Sequence, residues 1–171
     1  MKTLKIPDST ADAISLSHLG YSYPGDQFAV LNIPAWRVER NERVFLQGES
    51  GSGKSTLLSL LAGLSVPTQG SLQILGYDIA KLTARQRDRF RAANLGVVFQ
   101  QFNLIPYLSA LENVLLAARF GSASTAGARQ RATTLLERMN LQSALHHRPA
   151  SQMSIGQQQR VAIARALMNN P

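Results

Sequence analysis

No cysteine occurs in this chain, which excludes disulfides, thiolate zinc sites and thiol catalysis. A signal-peptide core is missing as well, because Pro7, Asp8 and Asp12 interrupt the N-terminal MKTLKIPDSTADA. Long apolar spans are also absent. Two uncharged stretches, Ser55 to Tyr77 and Ala92 to Leu111, reach membrane length, but each contains proline and several amide or hydroxyl side chains. Neither is expected to cross a bilayer. Acids are scarce, 10 against 18 lysines and arginines, for a net charge of +8. That balance would suit a polyanion, yet the cations are mostly arginines scattered without a run. A solvated basic surface is expected, with no nucleic-acid partner. What is present, 171 residues that are 44% hydrophobic, is enough for one folded domain with a core.

The first part of the chain reads as strands broken by turns: AISLSHL, FAVLNI, AWRVER and RVFLQ, with Pro24-Gly25-Asp26 as the clearest turn. RVFLQ runs into a glycine-rich segment, after which Lys54 to Ala62 has the leucine spacing of a buried helix. SLQIL reads as another strand, Thr83 to Ala93 as a helix opened by a Thr-x-x-Gln capping box, and LGVVFQ as an apolar strand ending at Gln100. Ser109 to Glu112 opens a further capped helix. Residues 121 to 127 form a small-residue break before a helix over Ala128 to Met139.

GESGSGKST, comprising Gly48, Glu49, Ser50, Gly51, Ser52, Gly53, Lys54, Ser55 and Thr56, matches G-x-x-x-x-G-K-[ST] between an expected strand and an expected helix. Glycines let backbone N–H groups turn inward onto phosphate oxygens, and the helix N-terminus adds positive potential beneath the anion. Lys54 is placed to reach the β and γ phosphates, and the Ser55 hydroxyl to ligate Mg²⁺. A plain glycine-rich turn is the blander alternative, but the strand-to-helix context favours a nucleoside triphosphate. No asparagine is followed by lysine, so a guanine-reading Asn-Lys-x-Asp motif is lacking and adenine is favoured.

The closing MSIGQQQRVAIARALMNNP contains a second capping box, Ser154-x-x-Gln157. By itself it describes a capped amphipathic helix; a capped N-terminus beside a Ser-x-Gly turn can also hold an anion. Taken together, GESGSGKST, VVFQQFNLIP with Gln100, the helices between, and MSIGQQQRVAIARAL closely resemble the nucleotide-binding domain of an ABC transporter. The likeness spans nearly the whole chain, with the motifs in order. GYDIAKLTARQRDRFRAANLGVVFQQFNLIPYLSALENV is most similar to the branch serving lipoprotein release and macrolide export.

That resemblance implies an α/β fold: a P-loop NTPase core with an antiparallel β subdomain and an α-helical subdomain. The strand-rich part with the P-loop is expected over about 1–100, and the helical subdomain with the signature helix over about 101–168. It implies ATP and Mg²⁺ as ligands, Tyr23 stacking on adenine, and Gln100 sensing Mg²⁺ and relaying nucleotide state. It further implies Ser154, Gly156 and Gln157 closing on the γ-phosphate held by a second copy. The partners implied are a transmembrane permease and a homodimer of ATP-binding domains, located in the cytoplasm on the inner face of the membrane.

Two departures stand out. Ile155 replaces the first signature glycine, so its side chain must point away from the phosphate; Asn41 replaces a glycine common before the P-loop strand, a mild change because asparagine tolerates left-handed backbone. The Walker B acids, the catalytic glutamate and the switch histidine would follow Pro171. The fold is therefore expected to be incomplete, with central strands absent, and the chain inactive alone. Asp78, Glu112 and Glu137 are not placed to serve as the general base. The His146-His147 pair is expected to be a solvated helix end and not a metal site. A natural ATP-binding product without hydrolysis and a soluble ABC ATPase are the alternatives.

Overall fold

The computed structural model describes residues 12–26, 28–121 and 127–171. Most of the N-terminal segment and of the small-residue break expected over 121–127 lies outside them. Two compact units divide the chain, Met1–Arg87 and Asp88–Pro171.

The first unit is built on an antiparallel sheet of β1 (Ile14–Tyr21), β2 (Leu31–Val38), β3 (Gln69–Ile74) and the short β4 (Tyr77–Asp78), in the order β2-β1-β3-β4. Leu16 and Leu19 on β1 are both buried, although their odd separation would put them on opposite faces of a regular strand. A register shift between Ser17 and Gly20, with His18 at φ 48°, supplies the extra residue that returns both to one side. Gly70 on β3 faces this bulge at φ +73°, and a Cβ there would lie 2.1 Å from the His18 carbonyl oxygen. Helix α1 (Lys54–Leu61) follows the glycine-rich loop and buries Thr56, Leu57 and Leu60. After β4, Asp78 caps a short 3-10 turn by accepting from the Ala80 N–H.

Helix α2 (Ala84–Asn94) begins with the expected box, in which the Thr83 N–H donates to Gln86 Oε1 and the Gln86 N–H to Thr83 Oγ1. In the second unit α3 (Ala110–Phe120), α4 (Ala128–Arg138) and α5 (Ile155–Ala166) pack around one apolar cluster. Leu111, Val114 and Ala118 of α3 meet Leu135 and Leu136 of α4 and Val161 and Ala164 of α5 there. These spacings form one stripe on each helix, the pattern that buries an amphipathic face.

The strands expected at RVFLQ and LGVVFQ do not form. Residues 43–47 and 95–99 carry no strand, and the described residues hold a single four-stranded antiparallel sheet. Phe45 is 87% exposed, and Val44, Val98 and Phe99 are exposed as well. β-Propensity is a preference for a half-buried ladder, so without a neighbouring strand it produces no strand. His146 is the other correction: it is buried, and its Nε2–H donates to the Leu141 carbonyl at 3.1 Å. His147 is exposed. No group of histidines and acids among the described residues could hold a metal ion.

Candidate functional site

The Gly48–Thr56 loop turns on glycine. Gly51 and Gly53 sit at φ +83° and +86°, and a Cβ on Gly53 would meet Leu31 Cδ2 at 2.6 Å, so the loop is seated against the start of β2. At Gly48 a Cβ would lie 2.7 Å from Ser52 Oγ. Lys54 Nζ donates to the Gly48 carbonyl at 2.7 Å, to the Glu49 carbonyl at 2.5 Å and to Ser52 Oγ at 3.4 Å. The ammonium thus draws the loop around itself.

Gly53 is the N-cap of helix α1, with no capping side chain, and the first turn holds no acid. Helices α3 and α5 differ, since both have full capping boxes, Ser109 with Glu112 and Ser154 with Gln157. An uncapped first turn beside a lysine, with Gly48 to Ser52 exposed, suits a polyanion: donors and positive potential point at one place. Ser55, next to Lys54, is exposed at the helix start, where a hydroxyl could ligate a cation.

Tyr23 stands with this loop in the first unit. The residue is 46% exposed, its hydroxyl lies 2.9 Å from Thr56 Oγ1, and its ring meets the Tyr21 ring edge-on at 5.2 Å. Asn41 adopts φ 65°, the left-handed backbone its replacement of glycine demands.

In the second unit Gln100 is exposed in a turn. At the start of α5 the Ser154 side chain accepts from the Gln157 N–H, and Gln157 Oε1 accepts from the Ser154 N–H. Ile155 is 76% exposed, and a Cβ on Gly156 would meet nothing within 4 Å. The turn presents an open, small surface. Of the acids, Asp78 is paired with Lys81 at 3.2 Å and caps a turn, and Glu112 accepts from Ser109 N and Oγ. These hydrogen bonds hold the Glu112 carboxyl below its ordinary value of 4.5, the wrong direction for a base acting near neutrality.

Two residues absent from the sequence reading shape the segment after Gln100. Asn113 is fully buried: Oδ1 accepts from the Ile105 N–H, and Nδ2 donates to the carbonyls of Ile105, Leu108 and Ser109. Its one sequence signal is an amide on the apolar face of α3. Arg165 of α5 holds the backbone at Phe102 and Asn103. A hollow of about 380 Å³ beside it is lined by Val97, Phe99, Leu116, Phe120, Arg165 and Asn169 among others. Asn169 Oδ1 is buried there without a hydrogen-bond partner among the described residues.

A family model described as ABC transporter matches residues 31–171. The chain is 44% identical over 160 residues to the lipoprotein-releasing system ATP-binding protein LolD of Pseudomonas fluorescens, covering 92% of this chain and 70% of the relative. It is 43% identical over 167 residues to the macrolide export ATP-binding/permease protein MacB of Syntrophobacter fumaroxidans, covering 94% of this chain and 23% of that protein. Among solved structures, the dimeric structure of MJ0796, a bacterial ABC transporter cassette, superposes with a TM-score of 0.83 at 39% identity, over 92% of this chain and 70% of that one. The post-hydrolysis state of that cassette, bound to ADP and Pi, gives 0.82. No helix among the described residues is long and apolar enough to cross a membrane. The chain belongs to the ABC transporter family, as an ATP-binding subunit with that family's ATPase activity.

Proposed function

We propose that the chain binds ATP as its magnesium complex on the Gly48–Thr56 loop and that, in the assembled transporter, hydrolysis of the γ-phosphate drives a transmembrane permease. The observation that carries this reading is Lys54, whose ammonium gathers the loop at the uncapped start of α1. In this reading the loop amides cradle the phosphates and Lys54 places its charge against the β and γ oxygens, which stabilises charge developing in the transition state. Ser55 would hold Mg²⁺, which when bound supplies further positive charge to the phosphates. Tyr23 stacks on the adenine ring.

Ser154, Gly156 and Gln157 close on the γ-phosphate of a second copy, so the working form is a homodimer. The open surface at Gly156 and the dimeric MJ0796 cassette support this. The permease docks on the second unit near Gln100, and the apolar hollow beside Arg165, with its buried unpaired Asn169 Oδ1, supports that choice of face. The chain then works on the inner face of the membrane. The lipoprotein-release and macrolide-export relatives favour a substrate of the export kind.

Thermal unfolding with and without Mg-ATP tests the site. A ligand at a hundredfold excess over Kd adds about 2.7 kcal/mol to stability. The melt should rise with ATP in the native chain and stay unshifted in Lys54→Ala. An equal rise in both would remove Lys54 from the site.

A further inference from the structure

We propose that Thr56 is a positioning residue for the nucleotide base: its hydroxyl holds Tyr23 in place before any ligand arrives. The inference rests on the reading of Tyr23 as the stacking residue and deepens it. Thr56 belongs to the glycine-loop motif, where its hydroxyl would be assigned to phosphate. In the structure its side chain has a different partner. Thr56 is buried at 6%, and its Oγ1 lies 2.9 Å from the Tyr23 hydroxyl, across 33 positions of sequence.

A half-exposed tyrosine beside a turn ordinarily samples several rotamers, and a ligand that stacks on it must bear the cost of ordering it. Here the ring is restrained at both ends. The tip is tied to Thr56, and the body meets the buried Tyr21 ring edge-on, at 5.2 Å and 85°. The backbone is closed as well, since the Asp26 N–H donates to the Tyr23 carbonyl and the Val30 N–H to the Tyr21 carbonyl. Thr56 follows Lys54 and Ser55 in the first turn of α1. One rigid helical turn therefore carries the phosphate-side cation and the anchor for the base-side ring, and it sets the spacing between them. The ligand class this geometry selects is a nucleoside triphosphate over a bare polyphosphate.

The test is calorimetric titration of the 171-residue chain with ATP and with inorganic tripolyphosphate, both as magnesium complexes. The quantity read is the ratio of the two affinities, which a general structural defect would not move. Thr56→Val and Tyr23→Phe each remove one end of the tie and should each lower the ratio about three- to tenfold, the cost of re-ordering one side chain. The double variant should fall no further than either single, and Thr56→Ser should keep the native ratio. If Thr56→Val does not fold, Tyr23→Phe carries the test, because its change is confined to the tip of a half-exposed ring. Tyr23→Ala separates the failures. A ratio lowered by Tyr23→Ala but unmoved by the other two variants overturns the positioning role and leaves stacking standing. A ratio unmoved by Tyr23→Ala overturns the stacking reading, and this inference with it. Fully additive losses in the double variant also overturn the tie.

Discussion

The guanidinium of Arg165 donates to the carbonyl oxygen of Phe102 at 2.5 Å, across 63 positions of sequence, and to that of Asn103 at 2.6 Å. Phe102 and Asn103 both adopt left-handed backbone, at φ 56° and 48°. For a bulky residue that conformation costs about 1–2 kcal/mol. The planar fork of arginine matches two neighbouring carbonyls, and burial pushes its pKa down.

Arg165→Ala should therefore lower the stability of the chain by about 2–3 kcal/mol, since both carbonyls lose a charged donor and the strained pair loses its brace. Arg165→Lys should recover less than half, because a single ammonium cannot hold both oxygens in the same geometry. Urea midpoints for the three proteins decide this. Full rescue by lysine would show that charge alone matters.

Asn113→Ala should cost about 3 kcal/mol. The substitution removes the acceptor of the Ile105 N–H and the donor to three carbonyls around residues 105–109. Buried groups left unpaired cost roughly 1–3 kcal/mol each, with part of that recovered by water. Hydrogen exchange at Ile105 should accelerate in the variant, and an unchanged rate would contradict the role of Asn113 as the pin of this segment.

Glu112 makes acid stability sensitive to one cap. Its folded pKa lies below 4.5, chiefly because the Ser109 hydroxyl donates to it and next because the Ser109 N–H does. Its stabilising contribution is present above pH 4.5 and disappears as pH falls through the lower folded value. In urea unfolding from pH 6 to pH 3, the gap between the native chain and Glu112→Ala should narrow below pH 4.5. A gap that widens on acidification would refute the cap as its cause.

Gly70→Ala should destabilise the first unit by more than 3 kcal/mol. The φ of +73° is adverse for alanine, and its Cβ would lie 2.1 Å from the His18 carbonyl oxygen and 2.4 Å from that of Ser17, both backbone atoms of β1. The bulge at Ser17–Gly20 would have to open, and circular dichroism melts would show it as a lower midpoint. Gly25→Ala is the control, for a Cβ there meets nothing within 4 Å among the described residues; it should carry the backbone penalty of about 1 kcal/mol.

The sequence by itself determined the features whose physics is local. The glycine loop, the uncapped lysine-bearing helix and the three capping boxes at Thr83, Ser109 and Ser154 involve residues within a few positions of one another. Side-chain type and spacing are enough to specify them. Asn41 belongs with them, since asparagine tolerates the left-handed backbone it adopts. The tertiary structure decided what depends on distant neighbours. RVFLQ and LGVVFQ have the composition of strands but no ladder, because hydrogen-bonded pairing is supplied by another segment and not by propensity. His146 is buried because the chain folds back over it, and the Leu141 carbonyl then takes its proton donor. Arg165 finds Phe102 across 63 positions, and Tyr23 finds Thr56 across 33. No local pattern encodes such meetings: they exist only once packing has brought the partners together and the energy of each contact outweighs the entropy of ordering it.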